Sequence, residues 1–272
     1  MSQISRITRY SDIDVNRHVT SRTYEHFASD ARYEILVQNG ITLNEYYDKN
    51  IRLHTKNSFV KFIRQQGPLD TINVNTRTFA FGNNSYLFDH QFEQPDGSPV
   101  CHLQVLAELN NAEIQTSENL QNEFEVHIKE LDDFSGKCER IENNLVPLYS
   151  DRDAFGEYNL NSFWKFFEDG RWMFSKKLDL TLEKMLEHDT TSFYMSGHCE
   201  IFNQPVAGEP MKLFTWIDRI DKIRYYFRQD LQQGEVKIAS MIDEQLVVSL
   251  SRARPQKVPQ YLRDVLQPFT EH

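Results

Sequence analysis

The chain is 272 residues long, with 39% hydrophobic residues, 26% charged residues and a formal net charge of −10 at pH 7. This length is sufficient for two domains of ordinary size, and the aromatic content is sufficient for substantial cores. The acidic balance, without any basic block, argues against a nucleic-acid ligand, and no apolar run is long enough to span a membrane.

The first half of the chain is predicted to contain one long helix followed by antiparallel strands. Apolar residues recur at helical spacing from Tyr24 to Ile35, which predicts a helix near residues 21–38 with one buried face. A short strand is expected before it, and strand-like stretches separated by Gly, Pro and Asn turn signals follow it. These stretches are 58–65, 71–81, 85–92 and 100–109, and a tail of helical character is predicted around 117–125.

The second half repeats this plan. The segments 10–14 and 149–153 read Tyr-Ser-Asp-Ile-Asp and Tyr-Ser-Asp-Arg-Asp, and the same offset of 139 residues gives seven identities in 23 positions as far as Arg32 and Arg171. We interpret this as an internal duplication. The elements predicted here are a helix at 160–178, strands at 193–202, 211–217, 223–230, 236–242 and 246–251, and a helical tail at 259–266.

These patterns predict two domains, at 1–130 and 146–272, joined by an acidic linker at 131–145. One long helix wrapped by an antiparallel sheet is the hotdog architecture, so the predicted fold is α+β, a double hotdog. A single hotdog exposes sheet edges and commonly pairs with another. A tandem builds that pair within one chain and leaves open whether such chains associate further into homo-oligomers.

The cysteines and the N-terminal sequence indicate the cellular compartment in which the protein is expected. Cys101, Cys138 and Cys199 lie far apart in the sequence, which is typical of neither a disulfide framework nor a paired-cysteine metal site. The first residues carry no apolar segment of the kind found in secretory signals. We therefore expect a reduced, cytoplasmic protein.

The duplicated motif resembles a known family. The segment 10–19, with Tyr24 and Ala31-Arg32 downstream, is similar to the signature D-x-D-x-x-G-H-V-N-N-x-x-Y of hotdog-fold thioesterases, and the segment 149–156 is a second copy. The segment 200–209 also resembles the 4-hydroxybenzoyl-CoA thioesterase family. The resemblance implies hydrolysis of an acyl-CoA or acyl-carrier-protein thioester. His198 and Cys199 are adjacent instead of spaced for a shared tetrahedral site, with no second ligand pair at the usual spacing, so we expect no metal ion or other cofactor.

The resemblance also implies catalytic residues. In that family the second aspartate of the motif acts on the thioester as general base or nucleophile, which places this role on Asp14 and Asp153. The string from Asp14 through Asn16 to His18 is further similar to the D-x-N-x-H triplet of acyl-ACP thioesterases, whose asparagine and histidine act beside the aspartate. In an extended loop these three side chains would share one side. The second copy has Phe155 and Glu157 in place of the asparagine and histidine, so we expect the first copy to perform the chemistry.

Substrate-binding residues are expected in and beside the two motifs. The family polarises the thioester carbonyl with main-chain N–H groups at the start of a central helix, and we expect each site to combine the aspartate of one copy with the helix start of the other. Arg32 and Arg171 are expected to orient their helices or to pair with acids. The candidate binding residues are Thr20, Tyr24, Gln65, Gly156 and Asn159.

Other interpretations of the same residues stay open at this point. Aspartates shortly before a helix often serve as caps or turn formers. Hotdog hydratases and dehydratases carry D-x-N-P-x-H, which is one residue longer than the spacing from Asn16 to His18 here and contains a proline that this chain lacks. A third reading is a non-catalytic protein that binds acyl thioesters as a sensor or scaffold.

Overall fold

The computed structural model of the chain describes residues 2–14, 17–116 and 124–272. The chain divides into two units. The first unit comprises Met1–Lys129 together with Asn159–Asn161, and the second comprises Glu130–Tyr158 together with Ser162–His272. Among the described residues, no helix is both long and apolar enough to cross a membrane.

The first unit contains two helices and a five-stranded antiparallel sheet. Its strand order is β1-β3-β4-β5-β2. Its elements are β1 (Ser2–Ile7), α1 (Ser21–Gln38), α2 (Leu43–Asp48), β2 (Arg52–Phe62), β3 (Thr71–Ala80), β4 (Ser85–Glu93) and β5 (Pro99–Asn110).

The second unit has the corresponding strand order β6-β8-β9-β10-β7, again antiparallel, with a short strand β11 paired to β10. Its elements are β6 (Ile141–Leu145), α3 (Leu160–Lys177), α4 (Leu182–Glu187), β7 (Thr190–Ile201), β8 (Met211–Ile220), β9 (Arg224–Gln233), β10 (Val236–Ser249), β11 (Arg254–Pro255) and α5 (Gln260–Leu266).

The structure confirms the internal repeat. Helices α1 and α3 begin and end at positions 139 residues apart, and so do α2 and α4. The offset extends to an irregularity in strand pairing, because Lys56 in β2 and Met195 in β7 are each skipped in the register with the neighbouring strand. Equal helix lengths and equal bulges show that the two units share one plan of folding.

Each central helix packs its apolar face onto its own sheet. Residues of the predicted stripe on α1 are buried, and the ring of Tyr24 contacts Phe62 at 5.4 Å and Phe92 at 5.5 Å between centroids. In α3 the corresponding face is more aromatic, and Phe174 meets the ring of Phe227 edge-on at 5.4 Å. The predicted core helices are therefore confirmed.

Three details of the sequence prediction change, and one of the two predicted helical tails is confirmed. The predicted strands 236–242 and 246–251 form one strand, β10, because the carboxylate of Asp243 is buried and paired with Arg171 instead of marking a turn. Helices α2 and α4 were missed. Residues 141–145, assigned to the linker, form β6. Helix α5 confirms the second predicted tail, whereas the first falls mainly on residues 117–123, outside the described residues.

The segments that follow β5 pack on the sheets. In the first unit, Gln104 donates from Nε2 to the carbonyl of Glu125 at 3.0 Å and accepts from the main-chain N–H of His127 at 2.8 Å. Phe124 packs on Phe79 at 4.4 Å between ring centroids. In the second unit, residue 131 donates its N–H to a glutamate of β7. These segments cover the sheet faces opposite the central helices.

Candidate active site

The first motif folds into a tight hairpin immediately before α1. Ile13 and Val19 form an antiparallel bridge, and the N–H of Asp14 donates to the carbonyl of His18 at 2.9 Å. Arg17 donates its N–H to the carbonyl of Asp14 at 3.0 Å and has a φ of 65°. The expectation of an extended loop was wrong. Asp14 and His18 nevertheless lie opposite each other, next to the bridge between Ile13 and Val19.

The carboxylate of Asp14 takes part in holding this hairpin. Its Oδ1 accepts the main-chain N–H of His18 at 3.1 Å, and both residues are half-buried. A carboxylate in this position can meet a water molecule or a thioester at the surface while the loop keeps it in place. Asn16, the third member of the predicted triplet, lies outside the described residues.

The hairpin is held by main-chain contacts on both sides. Thr20 donates its N–H to the carbonyl of Asp12 at 2.9 Å, and Val19 donates to the carbonyl of Gln66 at 3.2 Å. Gln66 is buried, whereas its neighbour Gln65, the predicted site residue, is exposed. The predicted residue is thus the neighbour of Gln66, whose contact with the loop the sequence prediction missed. No local pattern distinguishes the two glutamines.

Thr20 and Tyr24 connect the loop to the core of the first unit. Thr20 is the residue before α1, and its hydroxyl lies 3.1 Å from that of Thr23. Tyr24 lies one turn further, buried against Phe62 and Phe92. Burial raises the pKa of Tyr24 well above its ordinary value, so this phenol stays protonated within the core.

The second motif has the equivalent main-chain hydrogen bonds with different side chains. Asp153 donates its N–H to the carbonyl of Glu157 at 2.8 Å, and Gly156 donates to that of Asp153 at 3.0 Å with a φ of 78°. Here Oδ1 of the aspartate accepts two main-chain N–H groups, from Phe155 at 2.9 Å and Glu157 at 3.1 Å. Both donors belong to the second loop, so the carboxylate of Asp153 helps to hold that loop.

Gly156 has a specific steric role. The guanidinium of Arg152 lies over it, donates from Nε to its carbonyl and stacks on the ring of Tyr149 at 5.5 Å. An added Cβ at Gly156 would lie 2.6 Å from Nη2 of Arg152. The positive φ and the close arginine together require glycine here.

The second loop is also held by a glutamine side chain. Gln204 accepts the N–H of Tyr158 at 2.8 Å and donates to its carbonyl at 3.0 Å. At the offset of 139, Gln204 corresponds to Gln65, and Tyr158 to Val19. Asn159, a predicted binding residue, precedes α3. The second unit therefore uses this glutamine to close its loop, whereas in the first unit Gln65 is exposed.

Buried ion pairs lie on the helix side of both sheets, as expected for Arg32 and Arg171. Arg32 pairs with Glu25, which lies seven residues earlier on the same face of α1, and Nη1 of Arg32 lies 3.3 Å from Nε2 of His90. Burial raises the pKa of Glu25 and lowers that of His90 well below its usual range. Arg171 pairs with Asp243 at 2.9 Å. These arginines are confirmed as partners of acids.

Comparison with known proteins places the first motif in a family. Residues 8–124 match the family described as the thioesterase-like superfamily. These residues form a thioesterase-like domain. The match contains the whole hairpin and α1, and it supports hydrolysis of an acyl thioester as the activity of this chain. No curated protein matches the chain.

Solved structures extend the similarity beyond the thioesterase-like domain. An oleoyl thioesterase (putative) from Lactobacillus plantarum superposes with a TM-score of 0.72 at 10% identity, covering 95% of this chain and 96% of that one. A 12:0-ACP thioesterase from Umbellularia californica gives 0.68 at 14% identity, covering 94% of both chains. An acyl-ACP thioesterase from Bacteroides thetaiotaomicron gives 0.66 at 10% identity, covering 91% and 97%. At these identities the similarity shows a shared fold over nearly the whole chain.

Proposed function

We propose that this chain is a double-hotdog acyl thioesterase, which hydrolyses an acyl-CoA or acyl-carrier-protein thioester to the free acid and the thiol. The observation that carries the proposal is the hairpin that brings Asp14 and His18 together directly before α1, inside the region that matches the thioesterase-like superfamily. The cytoplasmic location stays a prediction.

Asp14 is the proposed general base. Its carboxylate takes a proton from a water molecule, and the water oxygen attacks the carbonyl carbon of the thioester. Main-chain N–H groups at the start of a central helix stabilise the negative charge on the carbonyl oxygen. The carbon–sulfur bond then breaks, and the proton held by Asp14 returns to the thiolate. Because a thiol has a pKa near 8.5, the leaving group needs little assistance.

The remaining predicted residues receive supporting roles. His18 lies opposite Asp14 and orients the water or donates to the carbonyl oxygen, and Asn16 is proposed to act beside it. Thr20, directly before α1, and Gln65, exposed beside Gln66, are proposed to contact the substrate. Tyr24, buried against two phenylalanines, forms a wall for the acyl group. These assignments rest on the positions of the residues: Thr20 and Tyr24 lie at the start of α1, and Gln65 lies next to Gln66, which contacts the hairpin.

The second motif is proposed to shape the fold instead of performing the chemistry. Two main-chain N–H groups occupy one oxygen of Asp153, and Glu157 adds a second carboxylate where the first loop has His18. A neighbouring negative charge raises the free energy of an ionised base. Gly156 and Asn159 then maintain the loop and the start of α3.

A non-catalytic acyl-thioester binder is the second candidate. The observation that favours it is the hydrogen bond from His18 to Asp14, since a carboxylate that closes a loop has a sufficient structural reason to be present. In that case the protein binds acyl thioesters without releasing thiol.

A thiol-release assay on the full chain separates these candidates. Acyl-CoA substrates of increasing length and matched acyl-carrier proteins are supplied, and free thiol is measured against time, with equilibrium binding measured in parallel. Turnover that depends on Asp14 supports the thioesterase. Binding to the same compounds without thiol release over the uncatalysed rate overturns it and favours the binder.

A further inference from the structure

Arg17 adopts a backbone conformation that favours glycine. Its φ is 65°, and the equivalent residue of the second unit is Gly156, with a φ of 78°. A side chain with a Cβ is strained in this region, and such strain often persists where a side chain has a function. The first loop therefore keeps an arginine at a position where the same backbone elsewhere in this chain carries glycine.

The two loops each contain one arginine, but at exchanged positions. In the second unit Arg152 lies over Gly156 and donates to its carbonyl. In the first unit Ile13 stands at the position of Arg152, and Arg17 stands at the position of the glycine. Arg152 is occupied by its own loop. Arg17 is exposed, and within the described parts of the chain its side chain has no hydrogen-bond or ion-pair partner.

A second guanidinium lies on the segment that supports this loop. Arg64 is exposed and donates from Nη1 to Gln94 at 2.9 Å. It precedes by two residues Gln66, whose carbonyl accepts the N–H of Val19. The hydrogen bond between Val19 and Gln66 thus connects the loop that contains Arg17 with the segment that contains Arg64. Since the chain has a net charge of −10, an anionic substrate needs such a local cationic site to approach.

We propose that Arg17 binds a phosphate group of the leaving thiol, and that it thereby selects phosphate-bearing thioesters as substrates. This inference rests on the proposed thioesterase function. A planar guanidinium pairs with two phosphate oxygens at once. Both coenzyme A and the phosphopantetheine arm of a carrier protein supply such a phosphate. In both, the phosphate is at the opposite end of the pantetheine arm from the sulfur, so it can stay at the protein surface, where Arg17 is exposed. Arg64 adds a second positive charge.

The test compares three thioesters of one acyl group: acyl-CoA, acyl-4′-phosphopantetheine and acyl-pantetheine, which has no phosphate. In Arg17→Gly the backbone is suited to the new residue, so the loop stays intact. We expect KM for acyl-CoA to rise about tenfold, which is typical for loss of one charge-assisted hydrogen bond, with kcat unchanged. We expect KM for acyl-pantetheine to be unchanged.

The controls separate the loss of a positive charge from the relief of backbone strain, and the substrates distinguish the pantetheine phosphate from the nucleotide phosphates. Ala253→Gly relieves a positive φ of 46° in the second unit, and Arg254→Gln removes an exposed arginine there; both leave all three KM values unchanged. An equal effect on acyl-CoA and acyl-4′-phosphopantetheine assigns Arg17 to the pantetheine phosphate, whereas an effect on acyl-CoA alone assigns it to the phosphates of the nucleotide.

Two results would overturn the inference or the function separately. Equal changes in all three KM values, or no change in any, exclude Arg17 as a phosphate ligand. If the wild-type protein hydrolyses none of the thioesters, the proposed function is wrong. The affinity for free coenzyme A, measured by titration calorimetry, then still tests Arg17, because Arg17→Gly lowers that affinity only if the guanidinium binds phosphate.

Discussion

The two Asp-motif loops have main-chain hydrogen bonds at equivalent positions, yet their side chains make different contacts. In the second loop, an aspartate oxygen, an arginine and a glutamine all bind main-chain atoms of the loop itself. In the first loop, Oδ1 of Asp14 accepts the main-chain N–H of His18, while Arg17 and Gln65 are exposed. A loop whose polar side chains are engaged in holding its own backbone has less chemistry to offer a substrate. The different use of the arginine and the glutamine supports the proposal that the first unit performs the catalysis.

The largest expected effect separates the two aspartates. Asp14→Asn removes the proposed base and should lower kcat by about 10²–10⁴-fold, because a positioned acid–base group contributes that much. Asp153→Asn should cost much less. Thiol release by both variants, with folding checked by thermal melting, gives the answer. The reverse result, with Asp14→Asn active and Asp153→Asn inactive, would move the catalytic site to the second loop.

A second comparison concerns the buried arginines. Arg32→Leu leaves Glu25 buried without its cation and should lower the free energy of unfolding by about 3 kcal/mol. Arg171→Leu should cost less, since Asp243 also accepts from Nε2 of Gln245 at 2.7 Å. Urea unfolding of both variants measures the difference. The double variant with Glu25→Leu and Arg32→Leu should recover most of the loss, and a double variant as unstable as Arg32→Leu would show that packing dominates.

A third comparison uses opposite charges at equivalent positions. Asp89 in β4 corresponds to Arg228 in β9 at the offset of 139. Burial alone would raise the pKa of Asp89, but hydrogen bonds from His102 at 2.6 Å and Arg77 at 2.9 Å lower it to about 2. Because the folded pKa lies below the unfolded value near 3.9, this stabilisation is present above about pH 4 and is lost as the pH falls toward 2.

The corresponding variant should remove that dependence. Asp89→Asn is expected to lower stability at pH 7 by about 2 kcal/mol and to flatten the melting temperature between pH 4 and pH 2. Arg228→Gln, which removes a donor to the carbonyl of Asp132 in the second unit, should keep the acid dependence. A wild-type melting temperature that does not change over this interval would argue against the shifted carboxyl group.

The smallest expected effects are the changes in stability caused by substitutions at the positive-φ positions of the two loops. Gly156→Ala forces a Cβ toward Arg152 at a positive φ and should cost about 1–2 kcal/mol. Arg17→Gly relieves strain and should be neutral or stabilising by about 0.5 kcal/mol. Melting temperatures of the two variants measure these opposite signs. A clear loss of stability in Arg17→Gly would mean that the guanidinium holds the loop together.

The sequence predicts the elements whose periodicity is strong and local. The stripe from Tyr24 to Ile35 locates α1, and the 139-residue offset identifies its counterpart, because a duplicated core repeats its apolar spacing. Short helix α2 was missed although Thr42 and Glu45 form a capping box, a pattern that can be read from the sequence. The Asp243-Glu244 pair misled the strand prediction because its partner, Arg171, is distant in sequence.

The candidate site was predictable in composition but not in geometry. The resemblance identified Asp14 and His18, but only the structure gives the turn at Arg17 that brings them together. The contact with Gln66 is a main-chain hydrogen bond, which does not depend on its side chain. Likewise, the sequence shows that the arginine occupies different positions in the two loops, but only the structure shows that the guanidinium of Arg152 lies over Gly156.

The packing of residues 124–129 on the first sheet has a consequence for dividing the chain. The side-chain amide of Gln104 hydrogen-bonds the main chain of Glu125 and His127, and Asn57 donates to the carbonyl of Lys129 at 2.9 Å. A recombinant first half that stops at the end of β5 would leave these amides without partners and uncover Phe79. Such a fragment is expected to aggregate, whereas one extended through Lys129 retains the outer cover of its sheet.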